Sequence, residues 1–475
     1  MACLGTLLWL WQMPIGFAQL SVTDMSEELR QKFPIPKGYS AAGCQFAFQQ
    51  DQPNSWWGCD VFILPEAREA GLLETASAFV ELVSINEKGN LGQNQRIALK
   101  DEEDQWQILL AIGMKGTFLI WDFNKDDDFL VAALALPHFA SPGLLKLPLL
   151  WQHDLPTRMP HNYVNFSLEQ VTATNDGGYV ILIQENTHEA YTAKRDWFAL
   201  VRLRAEGQTV WQYIYEDHFL AEEREDKKFL IIGKEKTVLY GYFDPSSGEN
   251  GTTILCLDPE GIETTRKLFK GYYWNKAIPW FQGGFAFMNY ASDKINETAN
   301  ASISIFDNNC EKVTDQPLKL SHHEMEGSVY HIIKTAAIAP NGNMVIVYLQ
   351  NQDVSGMSQS ALSLPSLHLM ELNRQGIVVC DVPLITGTDK NRAYLQVFED
   401  GWALGEYGEE GDDRLKVNLL FPKQGNFVLV SVYNKGVDYA EHLTILPEHW
   451  FPKMYRVKLP CEAEIAQNFQ TVGER

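Results

Sequence analysis

Basic residues are scarce in this chain of 475 residues. There are 39 Lys and Arg against 61 Asp and Glu, which gives a formal net charge of −22. A surface this acidic repels nucleic acid and anionic lipid, so we expect no nucleic-acid partner. The same charge keeps an exported protein soluble and is compatible with cationic partners or divalent ions.

Long apolar runs are missing after the first 18 residues. The N-terminal run LGTLLWLWQMPIGFA has the length of a signal-peptide core, and small residues precede a plausible cut ahead of Gln19. No Lys or Arg stands before this run, and a buried N-terminal strand is the alternative interpretation. We therefore predict a signal peptide at 1–18, a secreted or periplasmic location, and no transmembrane segment in the mature chain.

Cysteines are few, and no CxxC pair occurs. Removal of Cys3 with the signal peptide would leave six of the seven, an even number that permits disulfides in an exported protein. Cys44 and Cys59 flank a predicted hairpin and are the expected pair. Cys256 and Cys380 lie in apolar strands, where a buried free thiol is the simpler interpretation.

Helical periodicity is almost absent, whereas strand patterns recur. A polar turn followed by an apolar strand returns about every 60 residues. Its copies include KGTFLIW, DGGYVILI, EKTVLYGY, QGGFAFM, NGNMVIVY and DGWALGE, with aligned apolar residues at Phe118, Tyr179, Val238, Phe285, Met344 and Trp402. Only two short helices are expected, SEELRQKF from Ser26 and EAEIAQNF from Glu462.

A second phrase keeps step with the first: an apolar strand, a polar turn and usually a glycine. It ends at Gly89, Gly143, Gly207, Gly261, Cys310, Gly376 and Gly425, where Cys310 takes the place of the glycine. The glycine supplies the positive φ of a tight hairpin turn. Each complete unit reads as four short antiparallel strands, which is the blade of a propeller.

We therefore predict an all-β fold, a β-propeller of seven four-stranded blades, with six or eight left open. A β-helix or stacked sandwiches fit less well, because their units would be shorter or less even. The predicted organisation is a signal peptide (1–18), an N-terminal lead segment (19–39), the propeller (40–460) and a C-terminal tail (461–475). The strand-like segment from His442 to Pro460 is expected to pair with the first blade and close the ring.

The two phrases resemble those of bacterial exported propellers with sixty-residue blades. The matching residues are Asp176–Val180 for the "DGGYV" phrase and Leu200–Trp211 for the phrase that ends in G-x-x-x-W. The resemblance spans most of residues 40–435 and implies a fold, not an activity. The chain departs from the sialidase Asp-box and from the quinoprotein docking phrase, and both departures weaken enzyme interpretations.

Two segments carry possible metal chemistry. Asp122, Asn124, Asp126 and Asp128 place oxygen ligands at alternate positions, a spacing that suits calcium. The glycine and distal Glu of an EF-hand loop are absent, so a solvated acidic turn is the alternative. A second acidic run covers 408–414, and His322, His323, Glu324 and His331 form the densest histidine cluster, for which a polar loop is favoured over a metal site.

No HExxH, P-loop or GxSxG motif occurs. The sequence thus favours an exported binding or scaffold propeller without evident catalytic machinery, with a protein or peptide as partner and a glycan as a further possibility. The alternative is a hydrolase or lyase acting on a glycan or phosphoester, with carboxylates or calcium in the central funnel. Calcium is the one cofactor that the sequence suggests.

Overall fold

The computed structural model describes most of the strands and the turns that join them. The described residues are 21–34, 39–48, 55–63, 78–98, 111–112, 117–123, 129–135, 144–145, 149–154, 164–174, 176–187, 197–216, 227–232, 236–243, 251–270, 277–292, 299–318, 329–352, 366–385, 415–422, 424, 426–434 and 452–459. The predicted signal peptide and the helix expected from Glu462 lie outside them.

The elements up to residue 216 are one short helix and fourteen strands. They are β1 (Val22–Asp24), α1 (Ser26–Lys32), β2 (Tyr39–Phe48), β3 (Ser55–Ile63), β4 (Ala78–Ile85), β5 (Leu91–Ala98), β6 (Ala111–Ile112), β7 (Thr117–Phe123), β8 (Phe129–Ala135), β9 (Leu144–Leu145), β10 (Leu149–Asp154), β11 (Val164–Ala173), β12 (Tyr179–Thr187), β13 (Trp197–Leu203) and β14 (Thr209–Glu216). The helix predicted from Ser26 is confirmed.

The elements after residue 216 continue the pattern, with one 3-10 turn at Phe281–Gly283. They are β15 (Lys227–Ile232), β16 (Lys236–Phe243), β17 (Gly251–Leu257), β18 (Glu263–Lys270), β19 (Ala277–Pro279), β20 (Phe285–Ser292), β21 (Ala299–Phe306), β22 (Lys312–Leu318), β23 (Val329–Ile338), β24 (Met344–Gln352), β25 (Ser366–Leu372), β26 (Val378–Ile385), β27 (Leu415–Leu420), β28 (Phe427–Asn434) and β29 (Lys453–Lys458).

Hydrogen bonding sorts these strands into separate sheets. Their orders are β2-β3-β4-β5-β9 (sheet I), β6-β7-β8-β10 (sheet II), β11-β12-β13-β14 (sheet III), β15-β16-β17-β18 (sheet IV), β19-β20-β21-β22 (sheet V), β23-β24-β25-β26 (sheet VI) and β27-β28-β29-β1 (sheet VII). The prediction of seven four-stranded blades is therefore wrong: among the described strands, six sheets have four strands and sheet I has five. The fifth strand is β9, two residues that add to β5 in parallel.

The first strands of successive sheets lie beside one another in a closed series. The contacts run β2 to β6, β6 to β11, β11 to β15, β15 to β19, β19 to β23, β23 to β27, and β27 back to β2. Sheets arranged radially around such a series form a β-propeller, which confirms the predicted fold class.

The ring closes through both termini, but not as predicted. β29 pairs with β28 and with the N-terminal strand β1, all within sheet VII. The predicted pairing of the C-terminal segment with the first blade is therefore wrong, because β1 of the lead segment supplies the outermost strand. Between sheets VII and I, the indole of Trp57 donates to Ser431 Oγ at 2.8 Å, and Phe33 meets the Trp57 ring edge-on.

The core lies between neighbouring sheets, so most central strands bury both faces. In β25 every residue is buried. The aligned residues of the first phrase, Tyr179, Val238, Phe285 and Met344, are all fully buried. This is why those strands read as nearly continuous apolar runs.

The turn of the second phrase has the predicted geometry. Gly89, Gly207, Gly261 and Gly376 all have φ between 71° and 82°. Within the turn, an Asn or Asp side chain commonly accepts two backbone N–H groups, as Asp258 does from Glu260 and Ile262. The partner strands shift register beside the turn, as in a hairpin with a bulge.

Candidate functional site

The predicted calcium ligands fall almost entirely outside the described residues. Asp122 lies in β7, one residue before its end, and only its backbone is described; Asn124, Asp126 and Asp128 lie outside. His322, His323, Glu324 and the run 408–414 also lie outside, and His331 is described only as a backbone position in β23. These sites remain predictions.

Cys44 and Cys59 lie on adjacent antiparallel strands, β2 and β3. The register of this pair shifts between Ala42 and Gln45, so Cys44 sits in the irregular stretch. Their side chains lie outside the described part of the structure. The predicted disulfide stays a prediction.

A disulfide joins Cys256 of β17 to Cys310, at the β21–β22 turn of the next sheet. The interpretation of Cys256 as a free thiol is therefore wrong, because its partner, 54 residues away, meets it only across the interface of sheets IV and V. Cys310 has φ 64°, the left-handed value that glycine adopts in the equivalent turns. Cys380 is free and buried, as predicted.

In sheets III and VI, the residue five positions before the turn glycine, in the third strand, binds the first turn of its own sheet. In sheet III this residue is Arg202, whose guanidinium lies 3.2 Å from Asp176 Oδ2. Burial opposes ionisation of Asp176, but hydrogen bonds from Thr174 and Gly178 and the charge of Arg202 outweigh it and lower its pKa. The "DGGYV" aspartate is thus explained by blade construction.

In sheet VI the equivalent residue is Glu371, which is fully buried. Its Oε1 accepts from Asn343 Nδ2 at 2.7 Å and from Asn341 Nδ2 at 3.1 Å. Burial raises the pKa of Glu371 despite these hydrogen bonds. Burial and the neighbouring carboxylate also raise the pKa of the Cys380 thiol, which therefore stays protonated and unreactive.

A second polar group is buried further along the same sheet, and we call Ser366, His368, Asp381 and Tyr348 the His368 cluster. Ser366 and His368 alternate on β25, so they share one face. Ser366 Oγ lies 2.8 Å from His368 Nε2, and His368 Nδ1 lies 3.5 Å from Asp381 Oδ1. The sequence analysis missed this group.

Tyr348 holds the His368 cluster from the neighbouring strand β24. It stands directly opposite His368, and the two rings stack with centroids 5.2 Å apart. Its hydroxyl donates to Asp381 Oδ2 at 2.7 Å. The carboxylate is therefore fixed in position beside the imidazole.

The signal for this cluster was present in the sequence but weak. Ser-x-His on a predicted strand places a hydroxyl and an imidazole on one face. Asp381 joins them only through the register of β25 and β26, in which it stands opposite Met370, diagonal to His368. No spacing rule reveals that diagonal contact.

A third feature is the end of the sheets that carries the hairpin turns, which we call the turn face. In sheets III to VI its described turns lie at 174 with 176–178, 204–208, 258–262, 280–284, 307–311, 339–343 and 373–377. Val210 and Ile338 are exposed here by 38% and 41%, and three large aliphatic side chains are more exposed: Ile262 by 63%, Val313 by 62% and Ile377 by 59%. These three belong to sheets IV, V and VI, which are consecutive.

Hydrogen bonds between sheets hold the turn face together. Trp211 Nε1 of sheet III donates to Pro259 O of sheet IV at 2.9 Å. Gln316 Nε2 of sheet V donates to Gly376 O of sheet VI at 3.1 Å. A Cβ on Gly261 would lie 2.5 Å from the Trp211 ring, so this close contact requires glycine as well as its positive φ.

Among the described residues, no three His, Cys, Asp or Glu side chains converge in a way that could hold a metal ion. No helix in the described ranges is long and apolar enough to span a membrane.

No family model and no curated protein matches the chain. Solved structures match over most of its length, at low identity. A protein of unknown function from Dyadobacter fermentans is 10% identical over 90% of this chain and 96% of its own, with a TM-score of 0.38. The Dos1 propeller is 7% identical over 90% and 95%, with a TM-score of 0.37. A Trypanosoma rangeli sialidase is 10% identical over 91% and 55%, with a TM-score of 0.40. At these identities the similarity concerns fold alone.

Proposed function

We propose that this propeller is an exported binding module that docks a protein or peptide on its turn face. The observation that carries the proposal is the exposure of Ile262, Val313 and Ile377 at the same end of three consecutive sheets. Aliphatic side chains that face water in neighbouring elements, bordered by polar groups, are typical of protein interaction sites.

The polar surroundings suit such a role. Lys267 and Glu311 form an ion pair between sheets IV and V, and Lys312 pairs with Asp315 at 2.9 Å. A polar rim around apolar residues supplies orientation, while the apolar centre supplies most of the affinity.

The stiffness of the turn face also favours binding. The turns are cross-linked to neighbouring sheets by Trp211, by Gln316 and by the disulfide of Cys310. A surface that is already ordered loses little conformational entropy when a partner docks.

Export is the second part of the proposal. A buried disulfide forms and persists in an oxidising compartment, and the Cys256–Cys310 bond supports secretion or a periplasmic location. Expression in the host followed by N-terminal sequencing should give a mature chain that starts at Gln19. A chain that retains residues 1–18 and stays in the cytosol would contradict this part.

Site-specific photo-crosslinking tests the docking surface. A photoreactive phenylalanine analogue is placed at Ile262, Val313 or Ile377, and adducts are identified by mass spectrometry after irradiation in the host. We expect one partner to be captured from all three positions. The matched control is the same analogue at Lys270, an exposed residue at the opposite end of β18.

A charged substitution on the turn face should weaken binding of the captured partner. Ile377→Asp should weaken the captured interaction at least 10-fold, because a carboxylate must be desolvated against an apolar partner surface. Lys270→Asp should leave it unchanged. Equal capture from Lys270 and from the three turn-face positions would refute the docking surface.

A further inference from the structure

The positions of protons in the His368 cluster follow from the acceptor beside His368 Nδ1. An ionised carboxylate has acceptor sites only. His368 Nδ1 and Asp381 Oδ1 lie 3.5 Å apart and no hydrogen bond joins them; the neutral tautomer with its proton on Nδ1 is favoured because it directs an N–H towards that oxygen. Nε2 is then the acceptor, and the Ser366 hydroxyl donates to it across 2.8 Å.

This order of groups is that of an activated nucleophile. A hydroxyl is hydrogen-bonded to a base, and the base is oriented by a third group. Asp381, 3.5 Å from Nδ1, favours this tautomer through its charge and would stabilise the imidazolium that forms, while the Tyr348 hydroxyl fixes Asp381 through its other oxygen. Such constellations are recognised by geometry, whatever the fold or the sequence order.

All three groups are buried. The side chains of Asp381 and His368 are 1% and 2% exposed, and Ser366 as a whole residue is 8% exposed. A carboxylate buried this deeply is costly to keep unless it acts on its neighbours. Ser366 is the first residue of β25, at the end of the sheet opposite the turn face.

We propose that Ser366 is a nucleophilic serine that accepts an acyl group from an ester, with His368 as general base and Asp381 as its positioning residue. Ser366 Oγ forms a bond to the carbonyl carbon as its proton passes to His368 Nε2. The carbon–oxygen bond to the alcohol then breaks, and the alcohol leaves with that proton. Water hydrolyses the acyl-serine by the same route in reverse, which regenerates the free hydroxyl.

The direct test is covalent labelling with a fluorophosphonate. In this reaction Ser366 Oγ bonds to phosphorus, the phosphorus–fluorine bond breaks, and fluoride leaves while His368 takes the proton. We expect one adduct per chain, mapped to the Ser366 peptide by mass spectrometry.

Single substitutions distinguish the roles of Ser366, His368 and Asp381. Ser366→Ala should abolish labelling, and His368→Gln and Asp381→Asn should slow it at least about 100-fold. The matched control is Ser304→Ala, since Ser304 is also a buried serine that donates to a carboxylate, Asp315, but has no histidine in its hydrogen bond. Ser304→Ala should label at the native rate.

Two results would overturn the proposal. One is an absence of label on Ser366 in the folded native protein. The other is a labelling rate that is unchanged in His368→Gln, with the fold of each variant verified by circular dichroism. Hydrolysis of p-nitrophenyl acetate that is lost with the label would identify the ester activity itself.

Discussion

Cys310 takes the left-handed turn position that glycine holds in four other sheets, and a disulfide joins it to Cys256 of the preceding sheet. A non-glycine residue in this conformation costs roughly 1–2 kcal/mol. The disulfide offsets this cost because it restricts the unfolded chain and joins sheets IV and V. Cys310 thus occupies the position of the turn glycine and also forms a covalent bond between neighbouring sheets.

The disulfide should stabilise the propeller. Cys256→Ala is expected to lower the free energy of unfolding by about 2–4 kcal/mol, because the bond closes a long loop in the unfolded chain. Urea unfolding with and without reductant measures this. Reductant should shift the urea midpoint of the native protein towards that of Cys256→Ala. A native midpoint that stays the same after the disulfide has been reduced would contradict the expectation.

At Cys310 itself two variants should differ. Cys310→Gly and Cys310→Ala both lose the disulfide, but only Gly adopts φ 64° without strain. We expect Cys310→Gly to be the more stable variant by roughly 1 kcal/mol. Equal urea midpoints would show that the turn relaxes once the bond is gone.

The buried Glu371 should make stability depend on pH. Its pKa is raised above the ordinary value of 4.5 by burial, so its contribution to stability is fully present below pH 4.5 and is lost as the pH rises through the folded-state pKa. Glu371→Gln should therefore be more stable than the native protein at pH 8 by about 1–3 kcal/mol, and no more stable at pH 4.

Urea midpoints at several pH values test this, with Glu260→Gln as the control at an exposed turn position. The control should follow the native pH profile. An advantage of Glu371→Gln that is the same at pH 4 and pH 8 would contradict the assignment.

The terminal strands should contribute unequally to closure. Within the part of the chain that the structure describes, β29 pairs with both β28 and β1, whereas β1 pairs with β29 alone. A chain that stops at residue 436 should therefore lose more thermal stability than one that starts at Met25, and it should unfold cooperatively. Thermal melts of the two truncations, compared with the mature chain, give the order; equal melting temperatures would refute it.

The predicted calcium site is open to a direct measurement. If Asp122, Asn124, Asp126 and Asp128 bind calcium, isothermal titration of the purified protein will show one site, and removal of calcium will lower the melting temperature. The Asp122→Ala, Asp126→Ala double variant should lose both effects. Replacement of Asp258, a turn residue whose side chain accepts backbone N–H groups, by Asn should lose neither. No heat of binding in the native protein would leave a solvated acidic turn as the interpretation.

The repeat could be predicted from the sequence because its causes are local. A turn that requires positive φ shows as Gly261 or Gly376, and a strand buried on both faces shows as an apolar run. The equivalence of Cys310 with these glycines could also be predicted from the sequence. Its bond to Cys256 could not, because Cys256 lies in an apolar strand among residues of similar character.

The His368 cluster shows the same division between what could be predicted from the sequence and what could not. Ser366 and His368 share a face by strand alternation alone, but Asp381 reaches them through a diagonal contact that depends on strand register. Strand register is set by the pairing of whole strands, so no spacing between residues in the sequence reveals it.

The sequence by itself determined that the chain is built of repeated four-stranded units with glycine turns and apolar strands, because these are local properties of the backbone and of burial. Only the tertiary structure decided the extra strand of sheet I, the closure by β1, the Cys256–Cys310 bond and the His368 cluster. Each of these depends on which sheet lies beside which, and that is fixed by packing around the ring.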